Sequence, residues 1–135
     1  MASITKRVSL DASADRVWDA VRDFGEVHQR LVPGFVLKTK MDGDARIVTF
    51  ANGTVARELL VDCNDNAKRL VYAVISERIR QHSASVQVFA AGENRSELVW
   101  IVDVLPNEIA PYIANQMDAA TSAMTRTFVL STARS

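Results

Sequence analysis

The residues best suited to chemistry in this chain are an arginine and a glutamate that the sequence pattern places on facing strands. Arg46 shares its strand face with Val48 and Phe50 in the segment 45–50, and Glu58 shares its face with Ala56 and Leu60 in the segment 54–62. The Asn52-Gly53 pair between these segments is typical of a tight hairpin turn, which predicts antiparallel pairing. An unpaired buried carboxylate costs several kcal/mol, so Glu58 is expected to meet Arg46, water or a ligand group. The pair is either an ion pair in a cavity wall or a ligand-recognition element.

Strand alternation predicts that a histidine and a tyrosine on two further strands also face the interior. His82 matches the apolar positions of the segment 83–90, and Tyr72 lies on the apolar side of the segment 68–75. A histidine there could hydrogen-bond a ligand or move a proton, whereas a lone histidine is more often bonded to backbone or water. Glu58, His82 and Tyr72 are the catalytic candidates, but no matched reacting group is visible and the catalytic residues stay unassigned.

Bulky side chains are expected to line or fill the interior together with these polar groups. The largest of them are Trp100, Phe50, Phe89, Met117 and Met124. The last helix adds the hydroxyl of Tyr112, the amide of Gln116 and the small side chain of Ala120. The residues predicted to contact a ligand are Arg46, Phe50, Glu58, Tyr72, His82, Trp100, Tyr112, Gln116, Met117 and Ala120.

Composition excludes several other classes of function. The 16 basic residues balance the 16 acidic ones, which argues against nucleic-acid partners and anionic membranes. Neither the two histidines nor Cys63, assigned to the turn 62–66, has metal-ligand spacing, and no phosphate-binding glycine loop or nucleophile triad is visible. We therefore expect no metal, no cofactor and no stable membrane insertion, in one cytoplasmic domain spanning residues 1–135. The oligomeric state is not predicted.

The elements that must position these side chains follow from periodicity. Residues 4–10 alternate as a first strand, and two short helices are predicted to about residue 22 and over 24–31, where Pro33 and Gly34 end the second. Strands are then predicted over 35–41, 45–50, 54–62, 68–75, 83–90 and 96–104. Short connections between them favour an antiparallel meander.

The last helix is the most informative element of the chain. Between residues 107 and 130 the only charged residues are Glu108, Asp118 and Arg126. A helix that is apolar around most of its circumference needs other elements to cover it. At roughly 35 Å it is longer than any of the strands, so the sheet is expected to curve around it.

Several short motifs, taken in order, resemble the SRPBCC/START-like helix-grip superfamily, in particular its bacterial polyketide cyclase/dehydrase-like branch, related to the birch-pollen-allergen family. They are Ser13–Trp18, Val32–Phe35, Gly43–Arg46, Arg57–Leu59, Arg69–Tyr72 and Ser96–Trp100. The resemblance covers nearly the whole chain. It implies an α+β helix-grip fold, in which a curved antiparallel seven-stranded sheet surrounds a long C-terminal helix, with two short helices after the first strand. It also implies a cavity whose mouth lies at the loop 76–81.

Three functions are compatible with this resemblance. The first is binding of a hydrophobic or amphipathic small molecule, such as a lipid, an aromatic compound or a polyketide-like compound, between the sheet and the last helix. The second is a cofactor-independent cyclase, aromatase or dehydratase that uses acid–base residues in the same cavity. The third is a stress-response or protein-interaction domain with a vestigial cavity. The resemblance does not imply one reaction.

Overall fold

The structure, a computed structural model, describes residues 2–76 and 79–133, with side chains described as far as Phe128. Seven strands and three α-helices form in the predicted order. The strands are β1 (Ala2–Leu10), β2 (Val36–Asp42), β3 (Ala45–Phe50), β4 (Val55–Asn64), β5 (Arg69–Ile75), β6 (Gln81–Ala90) and β7 (Ser96–Leu105). The helices are α1 (Ala14–Arg22), α2 (Val27–Arg30) and α3 (Ala110–Ala133).

The strands form one antiparallel sheet in the order β1-β7-β6-β5-β4-β3-β2. Each strand from β2 to β7 pairs with its neighbour in sequence, so the predicted meander is confirmed, and β1 closes on β7. Irregular register between Leu60 and Asp62 in β4, and between Val36 and Lys38 in β2, bends the sheet. The bent sheet presents a concave face to α3, which confirms the predicted α+β helix-grip architecture.

Helix α3 is about 36 Å long and buries one side against the sheet. The buried residues of that side recur at helical spacing: Ile113, Met117, Ala120, Ala123, Met124 and Phe128. The expectation that α3 is covered around most of its circumference is wrong. The exposed residues of the other side are Pro111, Asn115, Asp118, Ala119 and Ser122. Their side chains are small or polar, so exposure to water costs little free energy.

The two short helices close one end of the sheet. Ser13 caps the start of helix α1, because its hydroxyl accepts a hydrogen bond from the Arg16 backbone N–H (3.2 Å). The Trp18 indole N–H donates to Asp65 in the β4–β5 turn (2.9 Å), which ties this helix to the sheet. The second predicted helix divides into a 3-10 turn over Phe24–Glu26 and the single turn of α2.

Two smaller expectations also need correction. Phe89 was expected inside but is 45% exposed, because its neighbour Val88 takes the inward position and strand alternation turns Phe89 outward. Cys63 was assigned to a turn, yet it lies in β4 and pairs with Leu70, because β4 continues past its bulge to Asn64.

Candidate functional site

A cavity of about 180 Å³ lies between the concave face of the sheet and α3. The sheet positions its wall by alternation, since the inward residues of β3 to β7 all point toward the same helix face. All ten residues predicted to contact a ligand lie on this wall: Arg46, Phe50, Glu58, Tyr72, His82, Trp100, Tyr112, Gln116, Met117 and Ala120. Their placement is observed, whereas their contact with a ligand stays a prediction.

Arg46 and Glu58 form a buried ion pair in the cavity wall. They are directly paired across β3 and β4, and each is only 7% exposed. Arg46 Nε donates to Glu58 Oε1 at 2.7 Å, and Arg46 Nη1 donates to the Phe24 carbonyl oxygen at 3.1 Å. The guanidinium carbon lies 3.8 Å from the centre of the Phe24 ring and 5.2 Å from that of Tyr72. The cation is thus held by an ion pair, a backbone acceptor and two ring faces.

Tyr72 contributes a buried hydroxyl close to this pair. Burial raises the pKa of the Tyr72 phenol, and the negative charge of Glu58 raises it further, while the charge of Arg46 and the indole N–H of Trp100 offset part of the rise. The phenol therefore stays protonated at neutral pH and can both donate and accept a hydrogen bond.

His82 is partly buried at the β6 edge of the cavity. Burial lowers the pKa of its imidazole from the usual 6.5, and the negative charge of Glu58 offsets part of that shift. Among the residues that the structure describes, none is hydrogen-bonded to its buried Nδ1 atom. His82 is therefore neutral at pH 7 and offers the cavity an uncharged imidazole.

Acidification is expected to destabilise the protein through His82. An unfolded chain binds a proton at this side chain near pH 6.5, whereas the folded protein binds it only at lower pH. Since the unfolded state holds more protons in that window, the free energy of unfolding falls as the pH drops below 6.5. Urea denaturation at pH 7.5 and pH 5.5 should show a smaller fall in His82→Gln than in the original protein. Equal falls in the two proteins would contradict this assignment.

The mouth of the cavity lies where its lining becomes exposed. Val55 at the start of β4 is 59% exposed, and Tyr112 at the start of α3 is 51% exposed. The Asn52 side-chain amide donates to the Tyr112 hydroxyl at 3.3 Å, a bond that joins the β3–β4 turn to the helix. Ser76 and Ile79 also line the cavity, while residues 77 and 78 of the loop expected at the mouth lie outside the described residues.

One part of the cavity wall was not predicted. Val27 in α2 and Leu31, Val32 and Phe35 around the Pro-Gly corner line the cavity beside the sheet residues. The signal available in the sequence was the apolar character of these residues on both sides of a chain reversal. Strand alternation could not reveal them, because they lie outside the strands.

Metal-binding groups and membrane-spanning helices are both absent from the described part of the chain. Within residues 2–76 and 79–133, no three His, Cys, Asp or Glu side chains converge as a metal-binding group. None of the helices in the same ranges combines the length and hydropathy needed to span a membrane.

The family of the chain is decided by its sequence over almost its full length. A family described as polyketide cyclase/dehydrase and lipid transport matches residues 1–132. The chain belongs to this family. No curated protein matches this member of the polyketide cyclase/dehydrase and lipid transport family.

Solved structures share the fold of this polyketide cyclase/dehydrase family member. The protein XoxI from Bacillus cereus aligns with a TM-score of 0.86 at 19% identity, covering 96% of both chains. A START superfamily protein from Mycobacterium smegmatis aligns with a TM-score of 0.75 at 13% identity, covering 95% of this chain and 97% of that one. Norcoclaurine synthase from Thalictrum flavum, in complex with dopamine and hydroxybenzaldehyde, aligns with a TM-score of 0.62 at 16% identity. The alignment covers 90% of this chain and 84% of that one. These similarities show the START-like and birch-pollen-allergen-like fold.

Proposed function

We propose that the protein binds a small molecule with an apolar body and a polar end in the cavity between the sheet and α3. The observation that carries this proposal is an apolar cavity with a buried ion pair in its wall. Most of the lining is aliphatic or aromatic, and the polar groups of Arg46, Glu58, Tyr72 and His82 belong to adjacent strands. An apolar pocket with a few convergent polar groups is typical of a small-molecule site.

The comparisons support this proposal in two ways. The family description names cyclase and dehydrase chemistry beside lipid transport, which fits a cavity with an apolar lining. Norcoclaurine synthase, which has the same fold, has been solved with dopamine and hydroxybenzaldehyde. In this protein the ligand would lie with its apolar body against Met117 and Trp100, and its polar end at Glu58.

Filling the cavity from α3 tests the proposal. Ala120 is 1% exposed and lines the cavity, so the longer side chain of Ala120→Leu would occupy the space of a ligand. We expect this variant to lose at least tenfold in affinity for a bound aromatic probe, with a free energy of unfolding equal to or higher than that of the original protein. Isothermal titration calorimetry and urea denaturation measure the two effects.

Ala119→Leu is the matched control, because Ala119 is the preceding residue of the same helix and is exposed on its outer side. This variant should bind the probe as the original protein does. If Ala120→Leu binds the probe with unchanged affinity, the ligand does not occupy this cavity and the proposed function is wrong.

A further inference from the structure

The size of the cavity limits the ligand. Its volume of about 180 Å³ is close to the roughly 150 Å³ of an engineered protein cavity that holds benzene. It is smaller than the roughly 300–1,000 Å³ typical of pockets for drug-sized ligands. The cavity therefore matches a single ring with one or two small substituents, and a fused-ring polyketide or a long acyl chain exceeds it.

The charge of the wall limits the polar end of the ligand. Among the residues that the structure describes, Arg46 is the only lysine or arginine in the lining. Its Nε and Nη1 donors are already bonded to Glu58 and to the Phe24 carbonyl oxygen, and the Phe24 ring covers its face. The positive charge of Arg46 is thus already neutralised by Glu58, and a ligand carboxylate would lie close to the negative charge of that glutamate.

Three of the remaining polar groups, those of Glu58, Tyr72 and His82, can accept a hydrogen bond from a ligand. Glu58 is a carboxylate, and an ionised carboxylate can only accept hydrogen bonds, at up to four lone-pair positions. Its one observed side-chain bond, from Arg46, uses Oε1. The neutral imidazole of His82 and the hydroxyl of Tyr72 can also accept. A hydroxyl on the ligand would satisfy such acceptors without bringing a second charge into the interior.

We propose that the ligand is an uncharged single-ring molecule whose hydroxyl donates a hydrogen bond at Glu58, as in a phenol, and that the Arg46–Glu58 pair, which has no net charge, disfavours carboxylates. This inference rests on the proposed function and specifies the ligand class for the same cavity. The site discriminates against carboxylates because a buried ion pair has no net positive charge with which to attract an incoming anion.

Three probes with the same ring and the same para methyl group test this inference. They are 4-methylphenol, 1,4-dimethylbenzene and 4-methylbenzoate, titrated into isotope-labelled protein at pH 7.5 and followed by amide chemical shifts. We expect 4-methylphenol to bind at least tenfold more tightly than 4-methylbenzoate, because the carboxylate adds an unpaired charge near Glu58. Equal or tighter binding of 4-methylbenzoate would overturn the inference.

A double variant isolates the hydrogen bond from the greater hydrophobicity of 1,4-dimethylbenzene. In Arg46→Met/Glu58→Leu the ion pair is replaced by apolar side chains, an exchange that proteins commonly tolerate. The affinity ratio of 4-methylphenol to 1,4-dimethylbenzene is expected to fall at least tenfold relative to the original protein. An unchanged ratio in a folded double variant would show that Glu58 does not receive the hydroxyl.

The outcomes also separate this inference from the proposed function. If none of the three probes shifts the amide signals of cavity residues such as Ala120 and Met117, both are wrong. If 1,4-dimethylbenzene and 4-methylbenzoate bind in the cavity as well as 4-methylphenol does, the cavity is a ligand site and only the ligand class is wrong.

Discussion

Replacement of Glu58 by leucine is expected to lower the free energy of unfolding by about 3–5 kcal/mol, one of the two largest stability effects that we predict. The reason is that Arg46 is 7% exposed and its Nε bonds to Glu58 at 2.7 Å. Without the carboxylate, the guanidinium stays buried between two rings with the Phe24 carbonyl oxygen as its remaining observed acceptor. Chemical denaturation of Glu58→Leu at pH 7 measures this loss.

The double variant Arg46→Met/Glu58→Leu is the control for this prediction. Because it removes both charges, it should recover most of the stability that Glu58→Leu loses. The loss in the single variant would then reflect an unpaired charge, not a general intolerance of leucine at this position. A loss below about 1 kcal/mol in Glu58→Leu would mean that water reaches the guanidinium.

Leu98→Ala is expected to destabilise the protein by about 2–5 kcal/mol. Leu98 lies in β7, between β1 and β6, and is 0% exposed. It does not line the ligand cavity, so its removal creates a new void in packed surroundings. Urea denaturation at pH 7 gives the change in the free energy of unfolding.

Trp100→Ala provides the comparison on the same face of the same strand. Trp100 is partly buried and lines the cavity, so part of its side chain has no packed neighbour to lose. Although tryptophan is the larger side chain, we expect the loss to be smaller than for Leu98→Ala. A loss equal to or larger than that of Leu98→Ala would instead indicate that the indole is tightly packed and that the cavity does not extend to it.

Most of what could be predicted about the fold and the site followed from the alternation of side chains along the strands. A period of two assigns each side chain to one face, and the Asn52-Gly53 turn sets the register that pairs Arg46 with Glu58. These two rules bring residues from separate strands to one concave face without any knowledge of distances. Phe89 was misplaced only where its size was considered instead of its parity.

The dimensions of the cavity could not be predicted in the same way. Its volume depends on how closely α3 approaches the bent sheet and on the irregular segment that adds Leu31, Val32 and Phe35 to its wall. Bulges and irregular segments have no periodic signature in a single sequence. The exposed side of α3 was missed because alanine counts as apolar in a pattern, yet it costs little when it meets water.

The pairing of β1 with β7 has a consequence for synthesis of the protein. Ala2 pairs with Val104 and Leu10 pairs with Ser96, so the first strand meets its partner only after nearly one hundred further residues have been made. At about 5–20 residues per second, the ribosome needs roughly 5–20 s for that interval. During this time β1 has an unsatisfied edge, and its alternating Thr5, Arg7 and Ser9 keep one side of it polar.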